Sequence, residues 1–148
     1  LIAVRLSPQL PTIGVTLEDS VALAAMLPEW GVDLIHLSCW DVTLRADTDG
    51  QTFTHHYRQA LGPQMPLIST GGVWSRAEAD FVLREGADLV GVARAAIGHP
   101  DWPLQLMRGV HEPSRPPFTP AQLAKAALSP TFIDYMRRWS GFVTDGRP

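Results

Sequence analysis

Two arginines and a pair of glycines stand where short apolar runs of this sequence end. Arg5 lies inside the run Leu1–Leu6 just ahead of Ser7, Gly71-Gly72 follows Pro66–Thr70, and Ala93-Arg94 follows Asp88–Val92. A guanidinium presents a planar fork of N–H donors suited to an anionic edge, and glycines let backbone N–H groups come close to an anion. The chemistry on offer is anion binding: if the runs are strands of a barrel, Gly71-Gly72 and Arg94 stand where a phosphate site is common. The alternatives are a plain turn at Gly71-Gly72, a solvated helix-start residue at Arg94, and an ion pair with an acidic neighbour for Arg5. An arginine within an apolar strand needs some partner, which favours a function for Arg5.

The other reactive side chains form no constellation. His36, His55, His56, His99 and His111 offer no helical pair with a carboxylate in register, so no metal site is expected. His55-His56 falls on a helix, away from the ends of the runs. Cys39 stands alone, which excludes an internal disulfide and a zinc site built on cysteine pairs; it reads as a small buried core residue rather than a redox group. Trp30, Trp102 and Trp139 read as packing residues, whereas Trp40 and Trp74 lie on loops where they could touch a ligand.

The elements that position these residues follow from the apolar pattern. The runs Leu1–Leu6, Asp33–Leu37, Pro66–Thr70 and Asp88–Val92 alternate with segments of helical spacing, so the order is β-α-β-α-β-α-β. Strands of this kind, buried on both faces, imply a parallel sheet with helices outside. In such folds ligands sit at the carboxyl ends of the strands, where Arg5 and Ser7, Ser38 to Asp41, Thr70 to Gly72, and Ala93 with Arg94 are found. The first helix is expected to start at Thr16, with Asp19 completing a capping box, and to end at Gly31. The second runs from Phe53 through Tyr57 to Leu61 and stops at Gly62-Pro63. The third has Ser75 and Glu78 at its start and Gly86 at its end.

A faint internal repeat supports the layout. Gly31-Val-Asp-Leu-Ile-His-Leu-Ser38 and Gly86-Ala-Asp-Leu-Val-Gly-Val-Ala93 share the order Gly, any, Asp, Leu, aliphatic, any, aliphatic, small. Each reads as a helix stop followed by a buried strand. The spacing suits either an open doubly wound sheet or half of an eight-stranded barrel, since a whole barrel takes about 250 residues. Beyond the fourth strand, Gly98-His-Pro-Asp-Trp-Pro103 reads as a tight turn into a short helix through Arg108. Residues 1–110 then form the first division, the proline-rich stretch 111–118 a linker, and 119–148 a helical tail. Thr119-Pro120 and Ser129-Pro130 open the two tail helices, and Phe132, Tyr135, Met136 and Trp139 share one stripe that is expected to pack.

Composition bounds the rest. The chain has 148 residues, 45% hydrophobic and 18% charged, with a formal net charge of −3. Its charges are spread without runs, so no face suits a nucleic-acid backbone. No apolar stretch approaches the roughly 18 residues of a membrane span, and no signal-peptide order precedes the first strand, so the default location is the cytoplasm. The chain opens at Leu1, inside an apolar run, and is expected to be a piece of something longer.

The ordered set Val4-Arg5-Leu6-Ser7-Pro8, Gly31-Val-Asp-Leu-Ile-His-Leu-Ser38, Pro66-Leu-Ile-Ser-Thr-Gly-Gly72, Ala87-Asp-Leu-Val-Gly-Val-Ala-Arg94 and His99-Pro-Asp-Trp-Pro103 resembles the C-terminal half of the old yellow enzyme family. The likeness runs from Leu1 to about Met107. It implies an α/β fold, the C-terminal half of a (β/α)8 TIM barrel, and an FMN-dependent ene-reductase passing hydride from NAD(P)H to an activated alkene. It further implies Arg5 beside the N1 and C2 carbonyl edge of the flavin ring, and Gly71, Gly72, Ala93 and Arg94 on the FMN phosphate. The residues that hold the substrate and donate its proton would precede Leu1, so this piece alone is expected to be inactive. Its partners would be a small-molecule substrate, the N-terminal half of the same barrel and, as a further option, copies of itself. Ala93 replaces a glycine common in the family, and Trp40 brings bulk to a loop that is usually smaller. A flavin-free α/β module for a phosphorylated ligand, or an inactive truncated chain, are the alternatives.

Overall fold

The computed structural model describes residues 1–110 and 112–144; His111, the first residue of the expected linker, and residues 145–148 of the tail lie outside it. The chain forms two compact units, residues 1–73 with 77–92, and residues 74–76 with 93–148.

The first unit holds the sheet. Strands β1 (Ala3–Leu6), β2 (Leu34–Ser38), β3 (Leu67–Thr70) and β4 (Leu89–Gly91) are all parallel and lie in the order β1-β2-β3-β4. Parallel crossovers are right-handed almost without exception, so a sheet whose every neighbour is the next strand keeps its helices on one face. A doubly wound sheet reverses its order partway. The observed order is therefore that of a barrel, which settles the choice the repeat spacing left open.

Helices α1 (Leu17–Met26), α2 (Phe53–Leu61) and α3 (Arg76–Arg84) connect the strands, and α1 packs on α2. The Thr16 hydroxyl accepts from Asp19 N–H while the Asp19 carboxylate accepts from Thr16 N–H, which is the expected capping box. The end differs from expectation. Pro28 lacks the N–H an α-helix would use, so the α1 chain tightens into a 3-10 turn over Leu27–Trp30 before Gly31 closes it in a left-handed conformation. Helix α2 has the expected bounds, with Thr52 as its cap.

Side chains alternate across the strands, and only one face is buried. Ile35, Leu37, Leu67 and Ser69 point to the helix side and are fully buried, beside Tyr57 and Val82. The other face carries Arg5, His36, Ser38, Ile68, Thr70 and Leu89; Leu89 is 53% exposed. Burial on both faces, which the apolar runs suggest, is thus not what the described chain shows. Inward positions of a barrel strand are covered only by the remaining strands of that barrel.

The internal repeat proves to be a clasp at the base of the sheet. Asp33 N donates to Ile2 O at 2.9 Å and the Asp33 carboxylate accepts from Ile2 N at 2.7 Å. Asp88 repeats this with Leu67, at 2.9 Å and 2.8 Å. In each copy the aspartate ties the start of its strand to the start of the preceding one, satisfying donors that the short strands leave over. Arg58 of α2 joins the second clasp, donating Nη2 to Asp88 Oδ2 and Nε to Gly86 O, each at 2.6 Å, and Nη1 to the carbonyls of Gly62 and Met65. A Cβ on Gly86 would stand 2.7 Å from Arg58 Cγ, so the glycine both turns the chain, at φ 105°, and admits the arginine.

In the second unit α4 (Arg94–Gly98) and α5 (Trp102–Met107) precede α6 (Pro120–Lys125) and α7 (Pro130–Met136). Thr119 and Ser129 cap the last two as their Ser/Thr-Pro signals predict. Phe118 is the hub: it is buried among the rings of Trp74, His99 and Phe142, and its backbone bonds Phe142 O and Thr144 N. Trp74 and Trp102 are buried, with Trp102 Nε1 donating to Trp74 O at 2.7 Å, so Trp74 is a core residue and not a ligand contact. The expected packing stripe on α7 is corrected too. Ile133 and Met136 are buried, whereas Phe132, Tyr135 and Trp139 are exposed, with Phe132 stacked on Tyr135 and Trp139 edge-on to it. Trp30 is likewise exposed, since it lies at the end of the 3-10 turn rather than on the helix face.

Candidate functional site

The carboxyl ends of β1 and β2 place a cation at the rim of the inward face. Arg5 is exposed, and its Nη2 donates to Ser38 Oγ at 2.7 Å; among the described residues it has no other hydrogen bond and no ion pair. The acidic partner weighed for it is therefore absent from the described residues, and four of its five N–H donors stay available. His36, the register partner of Arg5, turns its Nε2 to Thr70 Oγ1 at 2.7 Å. Burial first, and the Arg5 charge second, push the His36 pKa below the usual imidazole value, so the ring is neutral at pH 7. Beside these residues an open cleft of about 380 Å³ is lined by Ser7, Gln9, Leu10, Ser38, Trp40 and Leu44. Trp40 is 85% exposed on it, so of the two tryptophans placed on loops it alone stands free for a ligand.

Cys39 follows Ser38 and forms part of the wall of this cleft. It is buried, and burial pushes its thiol pKa up to about 12. The thiol is an inert core group. Alkylation by a maleimide at pH 8 is expected to be at least about tenfold slower than in urea; equal rates would place Cys39 at the surface.

Gly71 and Gly72 belong to the first unit and follow β3. A Cβ on Gly71 would lie 2.5 Å from Cys39 O, so this glycine is required by the loop that leaves β2 whatever else it does. Gly72 has φ 69°, and the nearest side chain to its would-be Cβ is the Asp41 carboxyl, at 3.6 Å. Asp41 Oδ1 accepts from both Thr43 N and Thr43 Oγ1, which engages one side of its charge. An acidic neighbour works against an anion at Gly72, so the cationic partner is decisive for phosphate.

Ala93 and Arg94 belong to the second unit, where Arg94 is the first residue of α4. Both are exposed, and among the described residues the Arg94 side chain has no hydrogen bond or ion pair. They follow β4, which is paired with β3 through Thr70 and Gly91. Among the described residues no three His, Cys, Asp or Glu gather as a metal-binding group. Pattern reading places Ser38 and Thr70 at the strand exits but misses the bond of Ser38 to Arg5 and passes over His36 as the partner of Thr70. The alternation of His36 and Ser38 along β2 marks them as one face, but the hydrogen bonds depend on strand register, which no local signal carries.

A singly wound parallel sheet with polar groups and a cation at its strand exits defines a segment of a (β/α) barrel. No family model matches the sequence. An NADH:fumarate oxidoreductase of Klebsiella pneumoniae is 34% identical over 117 residues, covering 74% of this chain and 12% of that protein. A probable NADH-dependent flavin oxidoreductase of Bacillus subtilis is 29% identical over 113 residues, covering 74% of this chain and 30% of that one. An old yellow enzyme homologue from Zymomonas mobilis superposes with a TM-score of 0.61 at 22% identity, over 86% of this chain and 38% of that chain. A shorter likeness, 38% over 84 residues and 55% of this chain, is to the HisF subunit of imidazole glycerol phosphate synthase from Cutibacterium acnes, of which it covers 32%. The chain is similar to part of the NADH-dependent oxidoreductases and has the fold of part of the old yellow enzyme barrel. It spans less than a third of the length of these curated relatives.

Proposed function

We propose that the chain is the C-terminal half of the barrel of an FMN-dependent oxidoreductase that reduces an activated alkene with NAD(P)H. The observation that carries this reading is Arg5: a guanidinium at the strand exits, held by one bond to Ser38, with its remaining donors facing no protein group among the described residues. Such a group fits a ring edge that gains negative charge on reduction, because a fixed cation stabilises that charge without reorganising. Bound FMN would supply the two-electron carrier between nicotinamide and alkene. Gly71, Gly72, Ala93 and Arg94 are the residues this reading assigns to its phosphate, with the Arg94 guanidinium as the charged donor. A relative named for a phosphate compound supports a phosphate at this end of the barrel.

In this reading residues 1–110 form the barrel half, 111–118 the linker and 119–148 the tail. The groups that bind the substrate and donate its proton belong to the other half. A cytoplasmic location is part of this reading; among the described residues no helix is long and apolar enough to cross a membrane.

The full-length protein is expected to purify with a flavin spectrum and to be reduced by NADH or NADPH. Arg5→Ala is expected to lower the flavin reduction potential and to slow reduction about tenfold or more, with flavin still bound. An unchanged potential and an unchanged rate would place Arg5 away from the ring. A colourless protein that takes up a phosphorylated metabolite would favour the flavin-free module, for which the HisF likeness speaks.

A further inference from the structure

The polar side chains of the inward face form a row across β1, β2 and β3 that ends against Gly91 of β4. Arg5 on β1 is in register with His36 on β2, and Ser38 on β2 with Thr70 on β3, which is in register with Gly91 on β4. Two hydrogen bonds of 2.7 Å run along the row, Arg5 Nη2 to Ser38 Oγ, and His36 Nε2 with Thr70 Oγ1. Thr70 can reach His36 only because Gly91 has no side chain: a Cβ there would overlap Thr70 Oγ1. The imidazole beside Arg5 is thereby turned toward β3 and occupied. Ser38 is left as the one acceptor that Arg5 meets among the described residues.

We propose that Ser38 is the positioning residue of Arg5, fixing its guanidinium at the exits of β1 and β2 with the other N–H groups turned to the ligand, while Thr70 keeps His36 out of its way. This rests on the reading of Arg5 as the cation at the flavin edge and adds the residues that aim it. An arginine stem has many rotamers, and a free one would have to be ordered each time the ligand arrives. One hydroxyl on a strand, at a fixed register, removes most of that freedom beforehand. The neutral state of the His36 ring is consistent with this, since a second cation in register with Arg5 would push the guanidinium aside.

The test uses the full-length protein with and without flavin. With flavin bound, Ser38→Ala is expected to slow flavin reduction about tenfold, the worth of one hydrogen bond to a charged group. Ser38→Thr, which keeps the hydroxyl, should restore most of the loss. Because Ser38 acts through Arg5, adding Ser38→Ala to Arg5→Ala should change neither rate nor potential further; additive effects would overturn the proposal. Without flavin, nitrogen NMR of the Arg5 guanidinium should show hindered rotation of its Nη groups in the parent and in Ser38→Thr, and averaged signals in Ser38→Ala. Signals that do not respond to Ser38→Ala would overturn the positioning role. If they respond while Arg5→Ala leaves the potential unmoved, the positioning stands and the flavin-edge reading of Arg5 falls.

Discussion

Arg58→Ala is expected to destabilise the sheet-bearing unit by about 3 kcal/mol, the combined worth of several hydrogen bonds from one charged donor. Arg58 serves three backbone carbonyls and the carboxylate of Asp88, which itself clasps the start of β3. The side chain of Asp88 is about half exposed, so the ion pair contributes little once water screens it. The carbonyls of Gly62, Met65 and Gly86 matter more, because the arginine body that satisfies them also fills the space above Gly86. Lysine, a point charge without the planar fork, should recover less than half of the loss. Urea or thermal unfolding measures the effect, which corresponds to a midpoint lowered by roughly 6–12 °C for a chain of this size. A change below about 1 kcal/mol would mean that water serves those carbonyls equally well.

Arg94→Ala should weaken FMN by about 2–3 kcal/mol, or about 30- to 150-fold in Kd, if its guanidinium grips the phosphate. Ligand choice isolates the contact. Riboflavin keeps the ring and lacks the phosphate, so it should bind the parent and the variant about equally. Lysine should rescue part of the FMN loss, since charge survives but the two-pronged geometry does not. Titration of the full-length apoprotein with both ligands decides the matter: equal weakening of the two would show that Arg94 supports the fold or the ring, and the phosphate assignment would fall.

What was legible in the sequence was what is settled locally. The Thr16, Thr119 and Ser129 caps, the bounds of α2, and all four strands within about two residues follow from signals a few positions long. The rule that ligands meet the carboxyl ends of parallel strands was enough to single out Arg5, Ser38 and Thr70 as residues to inspect. Features set by distant partners were not legible. Arg58 reads as an ordinary polar residue of an amphipathic helix, yet it reaches carbonyls and a carboxylate up to 30 positions away. The aromatic spacing on α7 indicates a stripe without saying which way it faces, and Ile133 and Met136 took the inside. An apolar strand likewise does not say which of its faces this chain covers. Arg94 and Gly71, read together as one cradle, fall in different compact units.

The strand order carries a consequence for how the protein is made. Every sheet neighbour is the next strand in sequence, and the clasps at Asp33 and Asp88 close over separations of 31 and 21 residues. Within this four-stranded sheet no strand waits for one synthesised much later, which keeps loop-closure costs low and favours rapid pairing. As the chain leaves the ribosome, β2 can dock on β1 once Ser38 has emerged, and β4 on β3 once Gly91 has, each with its aspartate already in place at the strand start. The repeated aspartates thus act as checkpoints along a growing sheet, each confirming the register of one strand pair before the next is added.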